Sequence, residues 1–220
     1  PHDELQPRIL ADYANDIAAL GTTGTLAALE RGRRWDLAAT LTGGGVLVFP
    51  HITPADCGYQ VSAVVHACLD SGADTVLVVS VLHAFTPEME DARRRVAAGE
   101  PPSRFRHWGI QGPGIERKNG TGEEWRSDHA LMTFRHFWQA EVERRDLRGP
   151  QVIERYPYLA GGKPWELPGI DELAEMARNA VIVTTADPCH HGIGYGTPAD
   201  EARWPDSAGL DYARQRIEEG

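Results

Sequence analysis

The sequence predicts an α/β fold with a central, mostly parallel sheet flanked by helices. Three observations carry the prediction. The runs GVLVFP (45–50), DTVLVVSVL (74–82) and AVIVTTA (180–186) are apolar at nearly every position and rich in β-branched residues, as strands covered on both faces are. Between the first two, Val61, Val64, Val65 and Cys68 recur at helical spacing before a stop at Ser71-Gly72, so strand, helix and strand form a βαβ unit. The chain of 220 residues is 41% hydrophobic and 25% charged, an ordinary balance for a soluble globular protein.

Taken in order, residues 3–31 have a helical pattern, 45–50 form a strand, and the βαβ unit follows to residue 82. Residues 128–145 read as an amphipathic helix with Ser127 or Asp128 at its N-cap. QVIERYPYL (151–159) is a weaker strand candidate, 169–179 a further helix, and 198–219 a helical tail interrupted at Pro205. The segment 100–127 is long and rich in glycine and proline, and it carries Trp108 and Trp125. Such a stretch reads as an insertion loop without regular structure, of the kind that covers a pocket. The expectation is one metal-binding domain over 1–220 with this insertion at about 100–127. TGGG (42–45) precedes a strand where a phosphate loop would have to follow one, so it carries no nucleotide site.

A formal charge of −10 argues against a nucleic-acid surface, which wants a basic face. No apolar run approaches the ~20 residues that span a bilayer. PHDELQPRIL shows no basic region followed by an apolar one, so no signal peptide is expected. Three cysteines in a chain of this size suggest reduced thiols and a cytoplasmic setting.

The chemistry gathers at the strand ends. The run 45–50 leads to His51, the run 74–82 to His83, and the run 180–186 through Asp187 to His190 and His191. In open parallel sheets, ligands bind beyond the carboxyl ends of the strands. Three strands therefore deliver imidazole to the edge where such folds place their sites, and a metal site on His51, His83 and His190 is expected. Neutral imidazole suits Fe, Zn, Cu and Ni. Asp187 either orients a ring nitrogen or caps the following turn, Cys189 is either a soft ligand or a small apolar residue, and His129 lines the pocket or the start of its helix. Cys68, His66 and His136 read as packing or surface residues.

Four segments together resemble a known family. PHITPADCG (50–58), VVSVLHA (78–84), DHALM (128–132) and TTADPCHHG (184–192) are similar, in the same order, to the motifs of Memo-like proteins, which share a fold with class III extradiol ring-cleavage dioxygenases. The resemblance implies an α/β fold with a metal at the carboxyl edge of the sheet. His51 and His83 match two histidine ligands, His190 matches an acid/base histidine near the metal, and His129 matches one lining the same pocket. In both relatives a further ligand comes from a later, C-terminal segment. Here His190 completes the set, or Asp56, Asp187 or Cys189 substitutes, or the ligand comes from elsewhere, such as a second subunit or a homo-oligomer.

The function expected is therefore a metal-dependent oxygenase of extradiol type. Fe(II) is favoured over Zn or Cu, with O₂ and a small aromatic or phenolic molecule as substrates and neither nucleic acid nor membrane as partner. His190, His129 and Asp187 would serve the proton transfers. Arg104, Arg106 and Arg117 could clamp a substrate carboxylate, and Trp108, Trp125 and Tyr195 either wall an aromatic pocket or anchor the loop. The alternatives are a zinc hydrolase on three histidines and a non-enzymatic metal-binding protein.

Overall fold

This computed structural model describes residues 2–115, 122–187, 190–193, 197–204 and 206–219, the side chains of 2–4 and 56 excepted. The chain forms two compact units, Pro1–Thr185 and Ala186–Gly220.

The first unit opens with α1 (His2–Gly32), two helical segments joined at a kink at Gly21, followed by the short α2 (Ala38–Thr42). β1 (Val46–Pro50) leads into α3 (Pro54–Asp70), which starts with Pro at its first position, where a missing N–H costs nothing. α3 carries Val61, Val64, Val65 and Cys68 into the core, as their spacing requires. α1 crosses it closely. A Cβ on Gly32 would come within 2.7 Å of the Tyr59 carbonyl and the Ala63 amide, so only glycine allows this approach. β2 (Thr75–Val79) is buried on both faces through Val76, Leu77 and Val78. α4 (Pro87–Ala97) is capped by Thr86, whose hydroxyl accepts from the Met89 amide at 3.2 Å, and its acidic first turn and basic last turn suit the helix dipole.

β3 (Gly109–Gln111), α5 (Met132–Arg145), β4 (Gln151–Tyr158), α6 (Ile170–Ala177) and β5 (Val181–Ala186) complete the layers. The sheet order is β1-β5-β2-β4-β3. β2 lies parallel to β5, with Val76 beside Val181, and parallel to β4, with Thr75 beside Gln151. β3 runs antiparallel to β4, with Gly109 opposite Tyr158, so the sheet is mixed. The core joins Phe49, Val76, Val78, Phe134, Phe137 and Tyr156 to the buried face of α3.

Two expectations are corrected here, and a third, the strand candidate at 151–159, is borne out. The segment 100–127 is not free of regular structure, because it contributes β3, all three residues of which are buried. The weak candidate at 151–159 is the longest strand and lies inside the sheet. The helical tail begins at Ser207, not at 198. No helix among the described residues is long and apolar enough to cross a membrane.

The second unit carries α7 (Ser207–Glu219). Before it, the Gly192 amide donates to the Thr197 hydroxyl at 3.0 Å, and the Arg203 amide donates to His191 Nε2 at 2.9 Å.

Candidate metal centre

Each histidine of the candidate centre follows an element that fixes its backbone. His51 comes directly after β1, and His83 comes four residues after β2. His129 lies between a single 3₁₀ turn (Glu124–Ser127) and α5. The Thr133 hydroxyl on α5 donates to the Ile52 carbonyl at 2.8 Å, which ties the start of that helix to the segment after β1.

The three rings converge. Their centroids are 5.0 Å apart for His51 and His83, 5.2 Å for His51 and His129, and 4.2 Å for His83 and His129. One ligand nitrogen from each lies within 4.8 Å of the others. The Nε2 atoms of His51 and His129 are 3.3 Å apart. Two nitrogens bound at about 2.1 Å to one tetrahedral ion lie about 3.4 Å apart, so this spacing fits a shared cation.

Asp128 orients the group. Its side chain is fully buried and accepts from His83 Nδ1 at 3.0 Å, from the His83 amide at 2.8 Å and from the Ala130 amide at 2.8 Å. With Nδ1–H committed to the carboxylate, Nε2 of His83 presents its lone pair, the tautomer that a metal ligand needs. Burial pushes the Asp128 carboxyl up, but the bonds from His83 and the backbone outweigh it and hold it below the usual range.

His129 is buried, and its pKa falls to about 3, first through burial and then through the neighbouring His83. Burial therefore favours its neutral form, the form in which imidazole binds a metal. Its Nδ1 is sealed from solvent with no hydrogen-bond partner among the described residues. Phe85 stacks on His83 at 5.3 Å and meets His129 at 5.5 Å, while Tyr13 sets its edge against His129 at 5.0 Å. The His83 side chain is 28% exposed, so the histidine group is open to solvent on that side. A divalent ion therefore fits the residues present: three converging imidazoles, one already oriented by a carboxylate, beside aromatic walls.

Among the expected ligands, His51 and His83 come together, and the third member of the group is His129, for which pocket lining and proton transfer were expected. His190 belongs to the second unit, where its Nε2 lies 2.9 Å from Asp187 Oδ2, so Asp187 does hold an imidazole nitrogen. Cys189, Tyr195, Arg117 and the Asp56 side chain lie outside the described residues. Arg106 is engaged by Glu88 at 2.6 Å and Arg104 by Glu100 at 3.4 Å, both at the surface. Trp125 stacks on Tyr156, and Trp108 lines a cavity of about 440 Å³ with Pro101, Pro102 and Lys163. Cys68 is buried, its thiol pushed up to about 12 by burial, and His66 is a packed residue bonded to the Leu29 carbonyl at 2.8 Å.

Sequence reasoning assigned Asp128 to a helix cap and passed over Phe85 and His107. An acid directly before a pocket histidine was the available signal for Asp128. His107 precedes β3 and is buried, with Nε2 3.3 Å from Glu124, whose carboxyl falls to about 2 chiefly through that contact. Comparisons of the chain with protein-family profiles, with curated proteins and with solved structures find no match.

Proposed function

We propose that His51, His83 and His129 hold one divalent metal ion and that the chain is a metal-dependent enzyme. The reading favoured is an Fe(II)-dependent oxygenase of extradiol type that acts with O₂ on a small phenolic molecule in a cytoplasmic setting. The observation that carries the metal is the convergence of three imidazole nitrogens within 4.8 Å, one ring oriented by a buried carboxylate. The order of the four Memo-like segments supports the oxygenase.

A bound ion would supply a Lewis-acidic centre with open positions for a chelating substrate and a small co-substrate. The protein's own contribution is orientation and exclusion of water. Asp128 fixes the His83 tautomer, Phe85 and Tyr13 restrict the rings, and burial keeps His129 neutral. The open side at His83 gives a planar substrate an approach beside Phe85.

A second reading, a zinc hydrolase, is favoured by one observation. The three converging donors are all imidazole, and three histidines with a water form a catalytic zinc set. Metal analysis of the purified protein separates the two. Iron with oxygen uptake on a catechol panel supports the oxygenase, and zinc with ester hydrolysis and no oxygen uptake supports the hydrolase. His51→Ala, His83→Ala and His129→Ala should each lose the metal while remaining folded, and wild-type metal content in all three would defeat both readings.

A further inference from the structure

Arg155 is the one buried arginine among the described residues, 8% exposed, and no carboxylate there pairs with it. The partly buried arginines of this chain behave differently. Arg135 is held by Glu154 at 2.7 Å, and Arg145 by Glu141 at 2.6 Å. Arg155 instead donates Nη1 to two backbone carbonyls, Glu154 at 2.7 Å and Pro113 at 3.2 Å. Its Nε and Nη2 have no hydrogen-bond partner among the described residues. Carbonyl dipoles solvate a cation but do not neutralise it, and Glu172, the acidic group that acts on Arg155, does so from beyond ion-pair distance, so the buried charge is only partly compensated.

The guanidinium also borders empty space. It lines a cavity of about 400 Å³ between the segment around β3 and α6, with Ile110, Ile115, Pro168 and Met176 as apolar walls and Glu172 at the rim. That volume is in the range of small-molecule sites, and apolar walls with one placed polar group are their usual composition. Gly112 makes the arrangement possible. At its φ of +150°, a Cβ there would come within 2.4 Å of the Glu154 carbonyl and 3.2 Å of Arg155 Nη1. Any larger residue would push aside the strand and the guanidinium it positions.

We infer that this cavity binds a small monocarboxylate with an apolar body, its carboxylate on Arg155 and its body against Ile110, Ile115 and Met176. A planar guanidinium with free Nε and Nη2 can present two parallel donors to a carboxylate. The charge balance favours a monoanion, because a single cation faces the ligand and Glu172 would repel a second negative charge. Burial lowers the affinity of the Arg155 guanidinium for its proton, and a bound carboxylate would offset that cost. The site shares no residue with the histidine group and does not depend on the metal proposed there.

Benzoate is a suitable probe, with benzamide as the neutral analogue and inorganic phosphate as the competing anion, each titrated calorimetrically into the full chain. Benzoate should bind the wild-type protein, and benzamide should bind about tenfold more weakly or worse, since it cannot form the charge-assisted pair. Arg155→Met should weaken benzoate by a similar factor. Met176→Trp, which fills the cavity and leaves the guanidinium in place, should do the same. Affinity should be unchanged by chelator treatment and in His51→Ala, which separates this site from the metal centre. If Arg155→Met does not fold, the Met176→Trp comparison decides. No benzoate binding to the wild type, or wild-type affinity in Met176→Trp, overturns the inference, and so does phosphate binding more tightly than benzoate.

Discussion

Replacing Asp128 by asparagine tests whether the carboxylate works through His83 or merely clamps a turn. The two carboxylate oxygens divide the backbone donors, Oδ1 accepting from the Ala130 amide at 2.8 Å and Oδ2 from the His83 amide at 2.8 Å, while His83 Nδ1 lies 3.1 Å from the first and 3.0 Å from the second. An asparagine has one acceptor oxygen, so in either orientation its NH₂ faces a backbone N–H. One amide then loses its acceptor and the new donor finds none, in a side chain that is fully buried. At about 1–3 kcal/mol for each orphaned group, Asp128→Asn should destabilise the metal-free fold by about 2–6 kcal/mol. Loss of the group that orients His83 should weaken metal binding about 10–100-fold, or about 1.4–2.7 kcal/mol. Urea unfolding of the metal-free protein reads the first quantity, and competition against a chromophoric chelator reads the second. The double variant Asp128→Asn/His83→Ala gives the decisive comparison. If Asp128 acts through His83, the double variant should bind metal no more weakly than His83→Ala alone. Wild-type metal affinity in Asp128→Asn, with only stability reduced, would refute the orienting role.

Acid should destabilise the fold through its buried histidines. Burial holds the pKa values of His66, His129 and His136 below the ordinary histidine value, so the unfolded chain takes up these protons first. Stability should therefore fall as pH drops below about 6.5, by up to about 1.4 kcal/mol per pH unit for each group, measured as a lower urea midpoint at about pH 5 than at about pH 7. Glu141→Gln should cost about 3–5 kcal/mol in the same assay, because Glu141 is fully buried and accepts from Arg33 at 2.9 Å, Arg144 at 2.6 Å and Arg145 at 2.6 Å.

The strand ends that carry His51 and His83 were legible because apolar, β-branched runs report burial on both faces and the histidine directly follows. β4 was weakly legible because Glu154 and Arg155 interrupt its apolar pattern. Their partners, Arg135 for one and the Pro113 carbonyl for the other, are remote in sequence. β3 has three residues, too few for any alternation to show, and Gly109 with the following Gly112 and Gly114 reads as a loop. The choice of third histidine was not readable. The CHH segment draws attention by composition, whereas His129 is brought to His51 by packing across 78 residues of chain. Asp128 was visible as a polar residue before a helix, a position that caps and ligand-orienting acids occupy alike.

The sheet order carries a consequence for synthesis and folding. β1 and β2 are joined early by α3, yet they are not neighbours, because β5 lies between them. A ribosome releases β1, β2, β3 and β4 before the strand that completes the sheet interior exists. Until β5 arrives, the nascent chain holds two unpaired backbone edges facing one slot, and both are templates for pairing with another chain. The pairing of Val76 with Val181 closes a long loop, which belongs to the slow end of folding. The same strand sets the spacing between the ends that carry His51 and His83. Metal binding should therefore begin only once β5 is seated, so a metal-sensitive signal during refolding would report the final insertion and not the earlier collapse.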